Sequence, residues 1–568
     1  MTTHSYPGTD SNEIEWQFEA DDLDRVERWL RGQPRTAALR FVPAKDAVQR
    51  DAYFDTEAWD FHRAKFSLRV RRSASRSEVT LKALGSSAAG LQTRREISQP
   101  LPEGEADIAH QYGPVSERLR LLAADRELRP LFEVETHRRT FRAEEAGVPV
   151  AELALDDTRI ERDGGVVGHL TRVEVESIGN AARSPLLQSF VAALAEAMEL
   201  RPANSSKFEV GLECAGLQPE ALLSFEKTSA SPEDDASDFA LSVLRRFFAE
   251  LVAHEAGTRL GEDPEELHDM RVAVRRLRAA LSMFEDALPD EFREIREDLG
   301  WLGRSLGEVR DLDVQLMTFQ ERRASASWSE SNALGELIQV LEGSRTEARV
   351  NLIETLESER YGALLLRMES ALASGAESLA VGVPVRQFVA PILKQRYRRF
   401  KDDAEALTPE SEPASFHAVR IRGKRLRYSV EFSRPIYGKP AERLAEAVAA
   451  VQGLLGDYQD SSVTIEWLRG LTRDRGSTLA PETLLFMGEL IGQQRERQRE
   501  LRLQWPSAFE KVRERWRRLR KDIGRDEPDE ALGVTEDADD LGVGVEPSAS
   551  RFRGGPLALL RRRHHTSY

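Results

Sequence analysis

One eleven-residue signature occurs twice in this chain. Residues 268–278 read HDMRVAVRRLR and residues 417–427 read HAVRIRGKRLR. A second pair, Leu306–Val314 and Leu455–Val463, shares a Leu-Gly start and an aspartate at its sixth position, Asp311 or Asp460. Both pairs are 149 residues apart, and two motif pairs at one offset mark an internal duplication. Leu/Ala/Arg/Glu stretches with a helical period run from 236 to 522, so this region is expected to be all helical. On a helix, His268, Arg271, Arg275 and Arg278 fall on one stripe, and His417, Arg420, Lys424 and Arg427 on its twin. Like charges at these spacings destabilise a helix. Both copies nevertheless keep the stripe in a chain with a formal net charge of −16. If the two helices face each other, the stripes make a cationic groove, and such a groove needs a polyanion. The histidines read as hydrogen-bond donors to that anion rather than metal ligands, because no carboxylate or thiol triad accompanies them at ligand spacing. Protonation would strengthen them as pH falls. Asp311 and Asp460 are placed to position the arginines, and Gly307 and Gly456 to allow close helix packing.

Residues 11 to 212 have a different texture. In Glu13-Ile14-Glu15-Trp16-Gln17-Phe18 the odd positions are polar and the even ones apolar. The same alternation runs through 63–71, where Arg63, Lys65, Arg69 and Arg71 share one face, and through 78–84, 151–156 and 173–176. Side chains alternate faces along a strand, so each segment has a charged and an apolar face. An antiparallel sheet with a wet outer face is the ordinary reading of such alternation. Two features favour a barrel with the charges inside. Amphipathic segments 23–30 and 186–200 could cover the apolar faces from outside. The charges are also segregated, with Glu-x-Glu on two strands and Arg/Lys on two others. Acidic strands beside basic ones would hold divalent cations on one wall and phosphates on the other; carboxylate pairs suit Mg²⁺ or Mn²⁺.

Composition narrows the possibilities. Hydrophobic residues are 40% and charged residues 31% of the 568, enough to build cores and exclude a wholly disordered chain. The acidic balance argues against a basic nucleic-acid-coating protein, because the long-range field repels phosphate. The single cysteine, Cys214, excludes an intrachain disulfide or a Cys-rich metal site. No run of 18 apolar residues predicts a membrane-spanning helix, and the first residues lack a signal-peptide pattern. No nucleic-acid or membrane partner is expected. The expected location is cytoplasmic.

These residues resemble two known families. The 11–212 region looks like a CYTH domain, the triphosphate tunnel metalloenzymes. The match rests on Glu13-Ile14-Glu15-Trp16-Gln17, Tyr53-Phe54-Asp55-Thr56, Leu68-Arg69-Val70-Arg71, Thr80-Leu81-Lys82, Arg95-Glu96, Thr136-His137-Arg138, Leu155-Asp156, Glu174-Val175-Glu176 and Ser206-Lys207-Phe208, in that order. The resemblance implies a closed antiparallel eight-stranded tunnel with flanking helices. It implies Glu13, Glu15, Glu174 and Glu176 as ligands of Mg²⁺ or Mn²⁺, and Arg69, Arg71, Lys82, Arg138 and Lys207 as the phosphate clamp. Glu13, Glu15, Glu96 and Asp156 would be the catalytic acidic set. A one-residue slip at Arg94/Arg95 or Arg138/Arg139 would turn the wrong side chain inward. The family lysine of the first strand is Gln17 here, which predicts weaker turnover or an altered substrate; Arg63 or Lys65 could compensate.

The 236–522 region resembles the CHAD domain, a pair of helical bundles associated with inorganic polyphosphate, which implies the two stripes as its polyphosphate contacts. The whole chain therefore reads as an α+β multidomain protein. Its parts are a tunnel domain at 11–212, a linker at 213–235, a duplicated all-α bundle at 236–522 and a disordered tail at 523–568. The function implied is metal-dependent hydrolysis of inorganic triphosphate or polyphosphate ends, with polyphosphate or tripolyphosphate as the bound partner. The alternatives are a non-catalytic polyphosphate-binding protein and an adenylyl cyclase.

Overall fold

The computed structural model describes residues 8–33, 38–44, 46–73, 76–85, 90–102, 108, 111–124, 126–179, 181–219, 231–374 and 382–524. The expected disordered tail lies almost wholly outside these residues, as does the middle of the expected linker. The chain divides into two compact units. The first is Met1–Leu223 with Glu255–Asp263, and the second is Ser224–His254 with Pro264–Tyr568.

The first unit is built on ten strands: β1 (Thr9–Glu19), β2 (Leu39–Pro43), β3 (Ala47–Thr56), β4 (Phe66–Ser73), β5 (Arg76–Ala83), β6 (Leu91–Leu101), β7 (Leu128–Glu145), β8 (Val148–Arg162), β9 (Gly165–Ser177) and β10 (Arg201–Pro202). Eight of them pair in the order β1-β6-β5-β4-β3-β7-β8-β9, and β9 pairs back onto β1. That last antiparallel pairing, with Gln17 opposite Glu174, closes the ring. β2 adds to β7 and β10 to β1 outside the ring.

Its helices are α1 (Leu23–Arg31), α2 (Asp60–Arg63), α3 (Pro114–Ala123), α4 (Pro185–Met198) and α5 (Lys207–Cys214). As the parity of the strands predicts, Trp16 and Phe18 of β1, Leu153 and Leu155 of β8, and Val173 and Val175 of β9 face outward. They are covered by Leu23, Val26 and Leu30 of α1 and Leu187, Val191 and Leu194 of α4. Leu68, Val70, Val79, Leu81 and Ile97 pack on the other side of the ring, beneath Val115, Leu119 and Leu122 of α3. With its outer faces capped, the ring turns its polar parity into the bore.

Helix α5 closes one end of that bore. A reciprocal capping box starts it, with Ser206 Oγ accepting from the Glu209 amide and Glu209 accepting from the Ser206 amide. Its Phe208 and Leu212 pack against the inward-facing Tyr53, Phe132, Val134 and Ile160. Gly211 makes this approach possible, because a Cβ there would lie 2.2 Å from the Phe132 ring. Gly211→Ala is therefore expected to lower stability by about 1–3 kcal/mol through overpacking. A thermal melt equal to that of the parent would show that the helix is not pressed on the barrel wall.

The second unit contains α6 (Ala236–Ala253), α8 (Pro264–Met283), α9 (Glu291–Ala324), α10 (Trp328–Glu357), α11 (Glu359–Ser374), α12 (Val385–Glu405), α13 (Pro413–Phe432), α14 (Arg434–Arg475) and α15 (Pro481–Ile523). The intervening α7 (Glu255–Leu260) belongs to the first unit, where Ala256 joins the cluster under α3. The duplication is visible in the helix starts. Ala236 and Val385 open α6 and α12, and Pro264 and Pro413 open α8 and α13, at the same 149-residue spacing as the motifs. The two signature helices meet: Arg275 Nε of α8 donates to Tyr428 Oη of α13 at 2.7 Å. At Gly300 of α9 a Cβ would lie 3.2 Å from the Arg278 guanidinium of α8, whereas the expected packing role of Gly307 and Gly456 is not met: a Cβ would make only an ordinary 3.6 Å contact at Gly307 and meet open space at Gly456.

Candidate functional site

The bore is lined by charges of both signs, and most of its cations are already matched to carboxylates. Arg71 of β4 donates twice to Asp51 of β3, at 2.7 and 2.9 Å. Arg69, two residues earlier and on the same face, lies 3.7 Å from Asp51 and 3.6 Å from Glu96 of β6. Lys82 of β5 reaches Glu13 at 2.8 Å, Glu15 at 3.3 Å and Glu96 at 3.5 Å. Arg138 of β7 bridges Asp156 of β8 and Glu174 of β9, at 2.6 Å to each. Lys207, the first residue of α5, bonds Asp156 and sits 2.9 Å from Glu174. Apart from Asp51 and Asp156, which lie behind them, these side chains line a cavity of about 690 Å³, counting its open mouth, together with Gln17, Tyr53, Arg94 and Glu176.

Crowding among the carboxylates separates them into two kinds. Burial raises the Glu13 carboxyl, and Glu96 and Glu15 raise it further against the pull of Lys82. Burial and the neighbouring Glu13 and Glu15 push Glu176 up to about 7. Against the cost of burial, Lys207 and Arg138 hold Glu174 well below the usual range, and Arg69 and Lys82 do the same for Glu96 more mildly. The result is one crowded wall, Glu13, Glu15 and Glu176, and one neutralised wall around Glu174.

This has a measurable consequence. A carboxyl raised in the folded state favours folding while it stays protonated and loses that advantage as pH rises through its folded value. The window for Glu176 runs from its ordinary 4.5 to about 7. Glu176→Gln should raise the melting temperature of the metal-free protein above pH 7, with the gain vanishing toward pH 4.5. An equal shift at both ends of that range would mean the carboxyl is not crowded.

The structure resolves the register questions and revises several assignments. Arg138 faces the bore while Arg139 points outward to Asp24 and Glu27 of α1. Arg94 faces the bore while Arg95 points outward to Asp10 and Glu262. Asp156 is fully buried behind Arg138 and Lys207, so its carboxylate positions those cations instead of facing the cavity. Glu174 is bound up by the same two cations, so it does not share an open wall with Glu13, Glu15 and Glu176. Arg63 and Lys65 do not lie on the charged strand face. Arg63 ends α2, Lys65 occupies a left-handed turn at φ 61°, and the strand begins only at Phe66. The cation beside Gln17 is instead Arg172 of β9, whose Nη1 donates to Gln17 Oε1 at 3.4 Å. Sequence reasoning missed Asp51 and Arg172 and left the inward choice between Arg94 and Arg95 open. Asp51 offered a partial signal, its shared strand parity with Tyr53, but no partner until β3 is set beside β4.

In the helical unit the stripes converge only in part. Arg271 and Arg275 of α8 and Arg420 and Lys424 of α13 lie close enough to disfavour one another's charge. Burial lowers Lys424 far below its ordinary value, and Arg420, Arg275 and Arg271 add to the shift. Burial and the neighbouring Arg275 and Arg420 lower Arg271 as well. Asp311 of α9 lies 3.6 Å from Arg271 and remains 55% exposed, and Asp460 of α14 is likewise exposed. The groove thus stays open to solvent. The stripe ends leave it: Arg278 is buried against Gly300, and Arg427 bonds Glu431 at 2.6 Å and Gln452 at 3.1 Å. The histidines also differ. His417 Nδ1 lies 3.2 Å from Gln459 Oε1. His268 Nδ1 has no partner among the described residues. Burial, Arg310 and Arg275 lower its pKa, so the expected gain from protonation at His268 sets in only at a more acidic pH.

A closed eight-stranded barrel with a two-signed bore is followed in the chain by a duplicated helical unit with a cationic groove. Comparison with known families gives the parts their names: residues 12–211 match the CYTH domain and residues 242–469 the CHAD domain. The chain is a CYTH-domain protein with a CHAD domain following. It is 25% identical over 521 residues to an uncharacterized protein found in two strains of Mycobacterium tuberculosis, covering 85% of this chain and 94% of the relative. Among solved structures, the CHAD domain from the plant Ricinus communis is 26% identical, covering 51% of this chain and 97% of that one, with a TM-score of 0.43. HpAC1 from Hippeastrum, described as having a dominant triphosphatase activity, is 19% identical, covering 36% and 97%, with a TM-score of 0.28.

Proposed function

We propose that the barrel hydrolyses the terminal phosphoanhydride bond of an inorganic triphosphate or polyphosphate, and that the helical groove binds the polymer. The observation that carries this reading is the two-walled cavity, with Arg69, Arg71, Lys82, Arg138 and Lys207 facing the crowded carboxylates Glu13, Glu15 and Glu176. A divalent cation fits the crowded wall. Its donors are all carboxylate oxygens that crowd one another, and Glu15 Oε1 is buried with Lys82 at 3.3 Å but no hydrogen bond. Bound there, Mg²⁺ or Mn²⁺ would neutralise phosphoryl charge and polarise the reacting group. The protein's own cations do the rest. They bind the phosphoryl oxygens, exchanging their carboxylate partners for substrate, and they hold the terminal phosphorus for in-line attack by water. The P–O bond to the bridging oxygen breaks, and orthophosphate and the shortened chain leave.

The test is phosphate release from tripolyphosphate, thiamine triphosphate, ATP and long polyphosphate, each with Mg²⁺ or Mn²⁺. Release from tripolyphosphate or long polyphosphate only with metal is the expected result, and cyclic AMP from ATP would favour a cyclase. A second reading, a tunnel that binds without hydrolysing, draws on one observation: Gln17, at the position of the family lysine of the first strand, brings no charge to the cavity it lines. Binding with no release from any substrate would establish it.

A further inference from the structure

One cation in the barrel stands apart from the clamp. Among the described residues, Arg94 is the only cation lining the cavity that has no ion pair or hydrogen bond to a carboxylate, although it is only 6% exposed. In the strand register it lies opposite Glu13, but the Glu13 carboxylate is turned to Lys82. Two residues away on the same strand parity, Gln92 is 1% exposed, and neither atom of its amide has a partner. Arg172 is also 1% exposed. Its guanidinium donates to the Ser205 carbonyl at 2.6 Å and to Gln17 at 3.4 Å, and its Nε is left without a partner. Burial lowers the Arg172 pKa against the pull of Glu174 and Glu19, and the Arg94 charge adds to the shift. A nearly buried guanidinium with no carboxylate partner is strongly unfavourable, and buried amides are normally satisfied. An unmatched Arg94 on the cavity wall, with the unsatisfied Gln92 on the same strand parity, calls for an anionic occupant.

We propose that Arg94, assisted by Gln92 and backed by the field of Arg172, is a further phosphoryl-binding group of the tunnel, separate from the five cations of the clamp. A guanidinium fork matches two phosphate oxygens, and the Gln92 amide could donate a further bond. Because Arg94 lines the same cavity as the clamp, its ligand is an additional phosphoryl group of the same oligophosphate. The pocket therefore sets the chain length the tunnel prefers. This rests on the phosphate reading of the barrel given above.

The experiment measures calorimetric affinities for diphosphate, tripolyphosphate and tetrapolyphosphate. The full chain is used, carrying Arg420→Ala and Lys424→Ala to silence the helical groove. Against that background, Arg94→Gln should weaken binding of the longest preferred chain by about 10-fold or more, the size of a lost charge-assisted contact. Diphosphate binding should be unchanged, and Arg94→Lys should retain part of the affinity. An equal loss at every length, or no loss at any, overturns the proposal while leaving the phosphate reading intact. If the background protein binds no oligophosphate, both fail. Should Arg94→Gln not fold, the length profile of Arg94→Lys decides.

Discussion

Glu13→Gln combined with Glu15→Gln should reduce metal-dependent phosphate release by at least about 10²-fold, the scale of losing a group that stabilises charge in the transition state. The fold should survive. The two carboxylates share a wall with Glu176, where burial and neighbouring carboxylates disfavour ionisation of Glu13 and Glu176. Neutral amides of the same shape relieve that repulsion, and Lys82 keeps Glu96 at 3.5 Å. The measurement is turnover at saturating substrate across a metal titration, with a thermal melt alongside. Unchanged turnover at low metal would remove these residues from any metal site. Lost turnover with a collapsed melt would place them in the structure rather than the chemistry.

The second large effect is expected in the helical unit. Arg420→Ala with Lys424→Ala should weaken long-polyphosphate binding by about 10²-fold or more, because a polymer held on one stripe reaches the second as an intramolecular contact. The same pair should raise the melting temperature of the ligand-free protein, since it removes two of four cations that repel one another across α8 and α13. The parent should lose affinity steeply with salt and the variant less so, by analogy with phosphate contacts in nucleic acids. Binding that persists, or a melting temperature that falls, would return these cations to the role of a solvated helical face.

The opposite shifts in affinity and stability are informative because they expose how the sequence encodes the site. Repetition and parity were legible. The paired signatures 268–278 and 417–427 announced a duplicated basic helix, and the alternating carboxylates Glu13 and Glu15 of β1 and Glu174 and Glu176 of β9 announced a charged bore. Residues that enter the site singly were not. Asp51 is one aspartate among many until β3 is set beside β4, where it takes Arg71. Arg172 looks like a surface arginine two residues before Glu174, until α5 carries Ser205 over it. The start of β4 was also misplaced. Alternation of charge continues back through Lys65 and Arg63, but the left-handed turn at Lys65 and the short α2 interrupt the strand. A pattern of period two cannot by itself report where the backbone leaves the sheet. The stripe ends fail for a similar reason. Arg278 and Arg427 share the helical spacing, but the neighbouring glycine of α9 and the local Glu431 decide where their guanidiniums go.

The plug formed by α5 bears on traffic. Phe208 and Leu212 pack against the inward-facing Tyr53, Phe132, Val134 and Ile160, so that end of the barrel is filled with hydrocarbon. If the barrel acts on an oligophosphate as proposed, a chain coming in from the other end would present its terminus to the clamp, cleavage would run from the ends inward, and both products would leave by the way the substrate came in.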